Sequence, residues 1–130
     1  MSTTTDEAAQ LLLAAWKGAT RIDGLPSRCR PADLDQGYAI QDALLVATGE
    51  TLAGHKIAAT SMAGQQHIGI THPITGGLLS SQIRSPGAQV SLSGNQMCAV
   101  EAEFVFEFNA CLLPRATQYS RMEVLQAVGA

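Results

Sequence analysis

Two glutamates separated by one residue, Glu101 and Glu103, carry the clearest chemical potential in this sequence of 130 residues. They lie in AVEAEFVFEFNA, residues 99–110, where apolar and polar residues alternate as in a β-strand. On a strand both side chains share one face, with Cα atoms about 6.7 Å apart. Carboxylates so spaced can converge on a hard cation such as Mg²⁺ or Mn²⁺, or face solvent on an antiparallel sheet. The pattern alone leaves both interpretations open.

The opposite face of the same predicted strand is strongly apolar. It carries Phe104, Phe106 and Phe108, which we predict to be buried in the core. Glu107 falls on the glutamate face, where we predict a solvated side chain.

Lys56 is the basic residue with the most unusual setting, because it lies within the apolar stretch LAGHKIAAT. Its side chain either extends to solvent or, if partly buried, acts as an acid–base group near a site. His67 and His72 are five residues apart, which is not the spacing of a helical metal-binding pair. We expect hydrogen bonding within the loop for these histidines, and we expect His55 to face away from Lys56.

The composition places the chain among globular proteins, with 46% hydrophobic and 15% charged residues. A net charge of −3 and 5% aromatic residues argue against nucleic-acid binding. The apolar run at residues 11–16 is too short to span a membrane and lacks a basic flank. Three widely spaced cysteines, without a C-x-x-C pair, indicate a reducing compartment and a cytoplasmic protein. These cysteines are Cys29, Cys98 and Cys111.

The elements that must position these side chains follow in the order helices, then strands. A capping box at Thr4 and Glu7 predicts the first helix, and Asp33 and Gly49 bound a second. Four segments are predicted strands: LAGHKIAAT, QVSLS, residues 99–110, and the short apolar stretch that follows THPITGG. The segment SMAGQQHIGI predicts a short helix or turn. Ser120 begins a last helix. This order predicts an α+β fold in one domain, residues 1–130, with a helical region at 4–50 and strands over 51–130.

Three segments together resemble the 2-keto-4-pentenoate hydratases of the fumarylacetoacetate hydrolase superfamily, to which the 4-oxalocrotonate decarboxylases are closely related. The segments are YAIQDALL, GHKIAATSMAGQQHIGITHPITGGLL and VEAEFVFEF, and they occur in the family's order. The resemblance implies N-terminal helices followed by part of a mixed β-roll of the fumarylacetoacetate hydrolase C-terminal-domain type, incomplete in this chain. It also implies a homo-oligomer that acts on small 2-hydroxydienoate or 2-oxo acids from aromatic catabolism.

The same resemblance implies roles for individual residues. Glu101 and Glu103 match two ligands of a divalent metal, Mg²⁺ or Mn²⁺, and Lys56 matches a lysine near the substrate. In the same segment as Lys56 we predict three substrate-binding residues, namely Thr60, Ser61 and Gln66. A bound 2-oxo acid would chelate the metal, and an enolate-like charge would develop during ketonisation before water adds.

The sequence departs from the family in two respects. Many hydratases carry an aspartate after the loop proline, whereas this chain has Ile74, so a polar catalytic group is missing or replaced. Family members are also about twice as long, and their third metal ligand follows the helix that begins here at Ser120. A complementary C-terminal half is therefore an expected partner. The competing interpretations are a truncated homologue that serves as an oligomerisation or interaction domain, and a 2-oxo-acid decarboxylase.

Overall fold

The structure, a computed structural model, describes residues 3–93, 95 and 100–129. It divides into two compact units, Met1–Gly94 and Asn95–Ala130. The first contains helices α1 (Thr4–Lys17), α2 (Leu34–Thr48) and α3 (Met62–Ile68), and strands β1 (Leu52–Ala58) and β2 (Ile74–Leu79). The second contains helix α4 (Arg121–Ala127). The mixture of helices with an antiparallel sheet is compatible with the predicted α+β class.

Helix α1 begins one residue earlier than the sequence pattern indicates. Thr3, and not Thr4, is the N-cap, and its hydroxyl accepts a hydrogen bond from the Asp6 amide at 3.1 Å. Both threonine–acid pairs fit a capping box, but Glu7 is engaged by Arg28, whose Nε donates to it at 3.1 Å. A distant contact therefore decides between two equivalent local patterns.

Helix α2 has the predicted ends. Asp33 is its N-cap and accepts a hydrogen bond from the Gln36 amide at 2.8 Å. Gly49 ends it in the left-handed conformation, with φ of 72°, which glycine adopts without a steric penalty. Helices α1 and α2 pack together, and Ala8, Cys29 and Ile40 form the buried cluster between them.

Strands β1 and β2 form a two-stranded antiparallel sheet in which Lys56 lies opposite Gly76. The pairing is irregular between Leu52 and Gly54, at the start of β1. Leu79 is almost fully buried at the end of β2, so the predicted strands over LAGHKIAAT and after THPITGG are confirmed.

Two other predicted strands are wrong. QVSLS is irregular, and so are residues 100–107; Ala99 lies outside the described residues. The predicted phenylalanine core is also wrong, because Phe104 and Phe106 are 94% and 62% exposed. An extended segment becomes a strand only when a neighbour takes up its backbone hydrogen bonds. Within the described part of this stretch, the pairing is the bridge between Phe108 and Val128.

Candidate functional site

Lys56 lies where β1 and β2 pair in regular register, beyond the irregularity between Leu52 and Gly54. Its side chain is half-buried in β1, whereas the neighbouring His55 is exposed. Residues directly opposite each other on antiparallel strands share a face, and the residue opposite Lys56 is Gly76, which has no side chain. The lysine stem therefore has no bulky cross-strand neighbour at this pair. A half-buried ammonium group can act as an acid–base group, whereas a fully exposed one is usually a solvated surface charge.

The turn after β1 carries the next predicted site residue, Thr60. Ala59 precedes it with φ of 56°, a left-handed conformation that costs a non-glycine residue about 1–2 kcal/mol. The Gln65 side chain stabilises this turn, since its Nε2 donates to the Ala59 carbonyl at 3.0 Å. Thr60 is exposed directly after this strained residue. Backbone strain of this kind concentrates at functional sites.

Ser61 and Gln66 belong to helix α3. Ser61 is the N-cap, and its Oγ accepts a hydrogen bond from the Gly64 amide at 3.1 Å. A serine hydroxyl that accepts one bond still has its own proton to donate. Gln66 is exposed on the helix. Four predicted residues therefore lie on one continuous strand–turn–helix segment, residues 56–66 of the first unit.

The two predicted metal ligands belong to the second unit. Glu101 and Glu103 are both exposed and lie in an irregular stretch, not in a regular strand. Glu107 is exposed as predicted, at the point where the stretch becomes paired. Its carbonyl accepts a hydrogen bond from the Gly129 amide at 2.7 Å, and the Asn109 amide donates to the Ala127 carbonyl at 2.9 Å. Only the C-terminal end of the stretch is anchored in this way.

The donor set of Glu101 and Glu103 suits a hard cation. Carboxylate oxygens are the preferred protein ligands of Mg²⁺ and Mn²⁺, and Mg²⁺ is often held by one or two carboxylates with water completing its shell. Within residues 3–93, 95 and 100–129, no cluster of three or more histidine, cysteine or acidic side chains could hold a metal. The two glutamates thus fit a metal with water or substrate ligands.

The histidines contribute little to a metal site in the described residues. The Nδ1 atom of His72 lies 3.4 Å from the hydroxyl of Thr71, so the predicted local hydrogen bond is present. His67 is exposed in the last turn of α3, not in a loop.

An ion pair near the start of the molecule has no counterpart among the site residues predicted from the sequence. Arg28 forms an ion pair with Glu7, and the guanidinium holds the pKa of that carboxyl below its usual value. Burial, followed by a hydrogen bond to Glu7, raises the pKa of the Cys29 thiol. A cleft in the same unit is lined by Trp16, Lys17, Glu50 and Arg84 among others, and it includes none of the predicted site residues. We favour the 56–66 segment over this cleft because the segment carries the predicted chemistry.

Known proteins similar to this chain are hydratases. The chain is 33% identical to the TodF product hydratase of Pseudomonas putida strain F1 over 104 residues, covering 77% of the chain and 38% of that protein. It is 33% identical to 2-keto-4-pentenoate hydratase 1 of Dechloromonas aromatica over 89% of the chain and 49% of the relative. It is 32% identical to 2-keto-4-pentenoate hydratase of Paraburkholderia xenovorans over 95% of the chain and 46% of the relative.

These three relatives are named as hydratases, and the likeness shows the family of the chain. It belongs to the 2-keto-4-pentenoate hydratase family, and its coverage is consistent with the N-terminal half of such a protein. The chain spans less than half the length of these relatives. No family model and no solved structure gives a significant match. None of the helices in the described residues has the length and apolar character needed to cross a bilayer.

Proposed function

We propose that the chain provides the N-terminal half of a divalent-metal-dependent hydratase, a lyase for small 2-hydroxydienoate or 2-oxo acids in aromatic-compound catabolism. The observation that carries the proposal is the likeness to named hydratases over 77–95% of the chain. The half-buried position of Lys56 in a paired strand supports it. The specific fold that we propose is a roll of the fumarylacetoacetate hydrolase type. This chain contributes helices and a two-stranded antiparallel sheet to it.

Lys56 has the central role in the proposed chemistry. Its ammonium group pairs with the substrate carboxylate or transfers a proton during ketonisation, before water adds to the substrate. Thr60 and Ser61 offer hydroxyl donors, and Gln66 offers an amide, for binding the carboxylate and the 2-oxo group. The strained Ala59 turn fixes where Thr60 lies relative to the end of β1.

Glu101 and Glu103 would hold the metal, Mg²⁺ or Mn²⁺. When bound, the metal supplies positive charge that stabilises an enolate-like oxygen. The negative charge of the two carboxylates also attracts a cation to this part of the protein before the substrate binds. Glu107 has no assigned role, which makes it a matched control on the same stretch.

The proposed partner is a complementary C-terminal half or a second copy of the chain. Three apolar side chains near one another in the sequence, Val100, Phe104 and Val105, are 85–94% exposed. Exposed apolar surface of this kind is typical of a protein–protein interaction site. Light scattering of the purified chain tests this proposal. A monodisperse monomer at high micromolar concentration would contradict self-association and leave the C-terminal half as the partner to test by co-expression.

The activity is tested by the loss of dienoate ultraviolet absorbance when purified chain meets 2-hydroxypenta-2,4-dienoate with Mn²⁺. We expect metal-dependent turnover that falls by about 100-fold or more in Lys56→Ala and Glu103→Ala, as for loss of a general acid–base or charge-stabilising group. Lys17→Ala and Glu107→Ala are the matched controls and should retain turnover. No turnover from a folded chain, alone and with a co-expressed C-terminal half, would overturn the proposal. The decarboxylase alternative is tested with a 2-oxo diacid, which can lose its second carboxyl group as CO₂ and leave the dienol. CO₂ release from the diacid without hydration of the dienoate would favour that alternative.

Metal binding is tested separately from turnover. Water-proton relaxation enhancement by Mn²⁺ reports binding without substrate. We expect Glu103→Ala to lose the enhancement and Glu107→Ala to keep it. Equal binding by both variants would contradict the assignment of Glu103 as a ligand.

A further inference from the structure

Two side chains of helix α2 take up backbone hydrogen bonds along the outer edge of β2. The Gly77 amide donates to Gln41 Oε1 at 2.8 Å, and Gln41 Nε2 donates to the Thr75 carbonyl at 3.3 Å. The Thr75 amide donates to the Tyr38 hydroxyl at 3.1 Å. Tyr38 and Gln41 are three residues apart and so lie on the same side of α2. The helix thus occupies backbone positions that a neighbouring strand would otherwise use.

The Gln41 amide reproduces the hydrogen bonding of one residue in a parallel strand. In a parallel ladder, a residue accepts from the amide after its partner and donates to the carbonyl before its partner. Gln41 does both, and the partner at the centre is Gly76. A Cβ atom added at Gly76 would lie 3.8 Å from Gln41 Oε1, an ordinary contact distance that confirms how close the amide is.

Gly76 is also the residue opposite Lys56. Backbone groups of successive strand residues point to opposite sides. Since Thr75 and Gly77 direct theirs to α2, Gly76 directs its own towards β1. Gln41, Gly76 and Lys56 therefore form a continuous line across the sheet, from helix to lysine.

We infer that Gln41 is a positioning residue for Lys56: its amide fixes β2 at Gly76, and Gly76 fixes the backbone of Lys56. This inference rests on the role of Lys56 in the proposed function. Removing the amide leaves the Thr75 carbonyl and Gly77 amide to water and frees both strands to shift. A small displacement of a reacting group can lower a rate substantially, even when every catalytic group is still present.

The direct test is amide hydrogen exchange of Lys56 and Gly76, followed by NMR. In Gln41→Ala we expect both amides to exchange about tenfold faster, which corresponds to losing one or two ordinary hydrogen bonds. The chain contains only two lysines, so Lys17 provides an internal reference for the lysine side-chain signals. The Lys56 signals should shift and those of Lys17 should not. Asp42→Ala, at an exposed position beside Gln41, is the matched control and should leave exchange unchanged.

A second variant separates positioning from general loss of stability. In Gln41→Glu the ionised carboxylate can accept from Gly77 but cannot donate to Thr75. Once protonated, below about pH 4, it regains a donor. Protection of the Lys56 and Gly76 amides, relative to wild type at the same pH, should then return. Unchanged exchange in Gln41→Ala, or equal acceleration in Asp42→Ala, would overturn the inference.

Turnover supplies the last arm of the test. If the wild-type chain, alone or with its C-terminal half, is active, Gln41→Ala should lower kcat/KM by about tenfold, with Asp42→Ala unaffected. An unchanged kcat/KM in Gln41→Ala would overturn the inference even if exchange accelerates. If the wild type lacks turnover, the proposed function fails, and with it the catalytic meaning of the positioning. The exchange result then still decides whether Gln41 fixes Lys56.

Discussion

Strand β1 and the stretch at residues 100–108 are both largely apolar segments that are predicted as strands, but their structures differ. Strand β1 carries Lys56, and the second stretch carries Glu101, Glu103 and Glu107. Strand β1 pairs along its length with β2, whose outer edge is in turn covered by α2. Among the residues that the structure describes, the second stretch is paired at Phe108. The contrast shows that an apolar sequence pattern predicts a segment that is able to form a strand. The strand forms only where a neighbouring segment takes up its backbone hydrogen bonds.

The two charged sites inherit this difference. Lys56 is half-buried and its backbone is fixed through Gly76, whereas Glu101 and Glu103 are exposed in an irregular stretch. A site built on paired elements is held in place before its ligand arrives.

The largest expected effect comes from truncating the core of the first unit. Ile40 is 6% exposed against Ala8 and Cys29, so Ile40→Ala should lower the free energy of unfolding by about 2–4 kcal/mol. Phe106 is 62% exposed, and Phe106→Ala should cost less than about 0.5 kcal/mol. Urea denaturation followed by circular dichroism measures both. A comparable loss in Phe106→Ala would show that the phenylalanine face is packed in solution and would break the contrast.

A smaller effect distinguishes the two glycines of β2. A Cβ atom at Gly77 would lie 2.6 Å from Leu45 Cδ1 and 3.0 Å from Leu52 Cδ1, whereas one at Gly76 meets Gln41 at 3.8 Å. Gly77→Ala should destabilise the chain by about 1–2 kcal/mol through overpacking, because the ends of the Leu45 and Leu52 side chains must move to make room. Gly76→Ala, in thermal unfolding under the same conditions, should cost less. Equal losses would indicate that backbone freedom, not space, makes glycine necessary.

Features that depend on local sequence were predictable. Asp33 and Gly49 bound α2, and Ser120 with Glu123 caps α4, because each signal acts within a single turn of helix. The interaction of Gln41 with β2 was not predictable, since it joins residues 34 and 36 positions apart. Tyr38 and Gln41 are three residues apart on α2, and two polar side chains on one side of it are the signal that the sequence offers.

The candidate site divides in the same way. That Lys56 lies in a strand followed by a short helix could be predicted from spacing alone. Whether Glu101 and Glu103 bind metal stays a prediction, because their predicted spacing applies to a regular strand and both residues lie in an irregular stretch. The roles of Thr60, Ser61 and Gln66 likewise stay predictions. Cys98 lies outside the described residues.

Replacing the strained alanine next to the lysine strand should have a modest, opposite effect. Ala59→Gly relieves a left-handed conformation that costs about 1–2 kcal/mol, and it adds about 0.5–1 kcal/mol of unfolded-chain entropy. We therefore expect a net gain of about 0.5 kcal/mol in urea denaturation. Ala58→Gly, at the last residue of β1, should destabilise instead and serves as the control. A loss of stability in Ala59→Gly would mean that the turn relaxes in solution.

The smallest expected effect is confined to α4 and depends on pH. The Nη1 and Nη2 atoms of Arg115, at 2.9 and 3.0 Å, and the amide of Ser120 donate hydrogen bonds to the Glu123 carboxylate. These bonds lower its pKa to about 2 from 4.5. Because the folded-state pKa is depressed, the stabilisation is complete above about pH 4.5 and is lost as pH falls towards 2.

The Ser120 amide resonance should follow this titration, and α4 should fray with it. In Arg115→Gln, which removes the largest cause of the shift, the midpoint should rise towards that of an ordinary glutamate. A midpoint near 4.5 in the wild type would show that neither the arginine contact nor the capping box with Ser120 holds the carboxylate in solution.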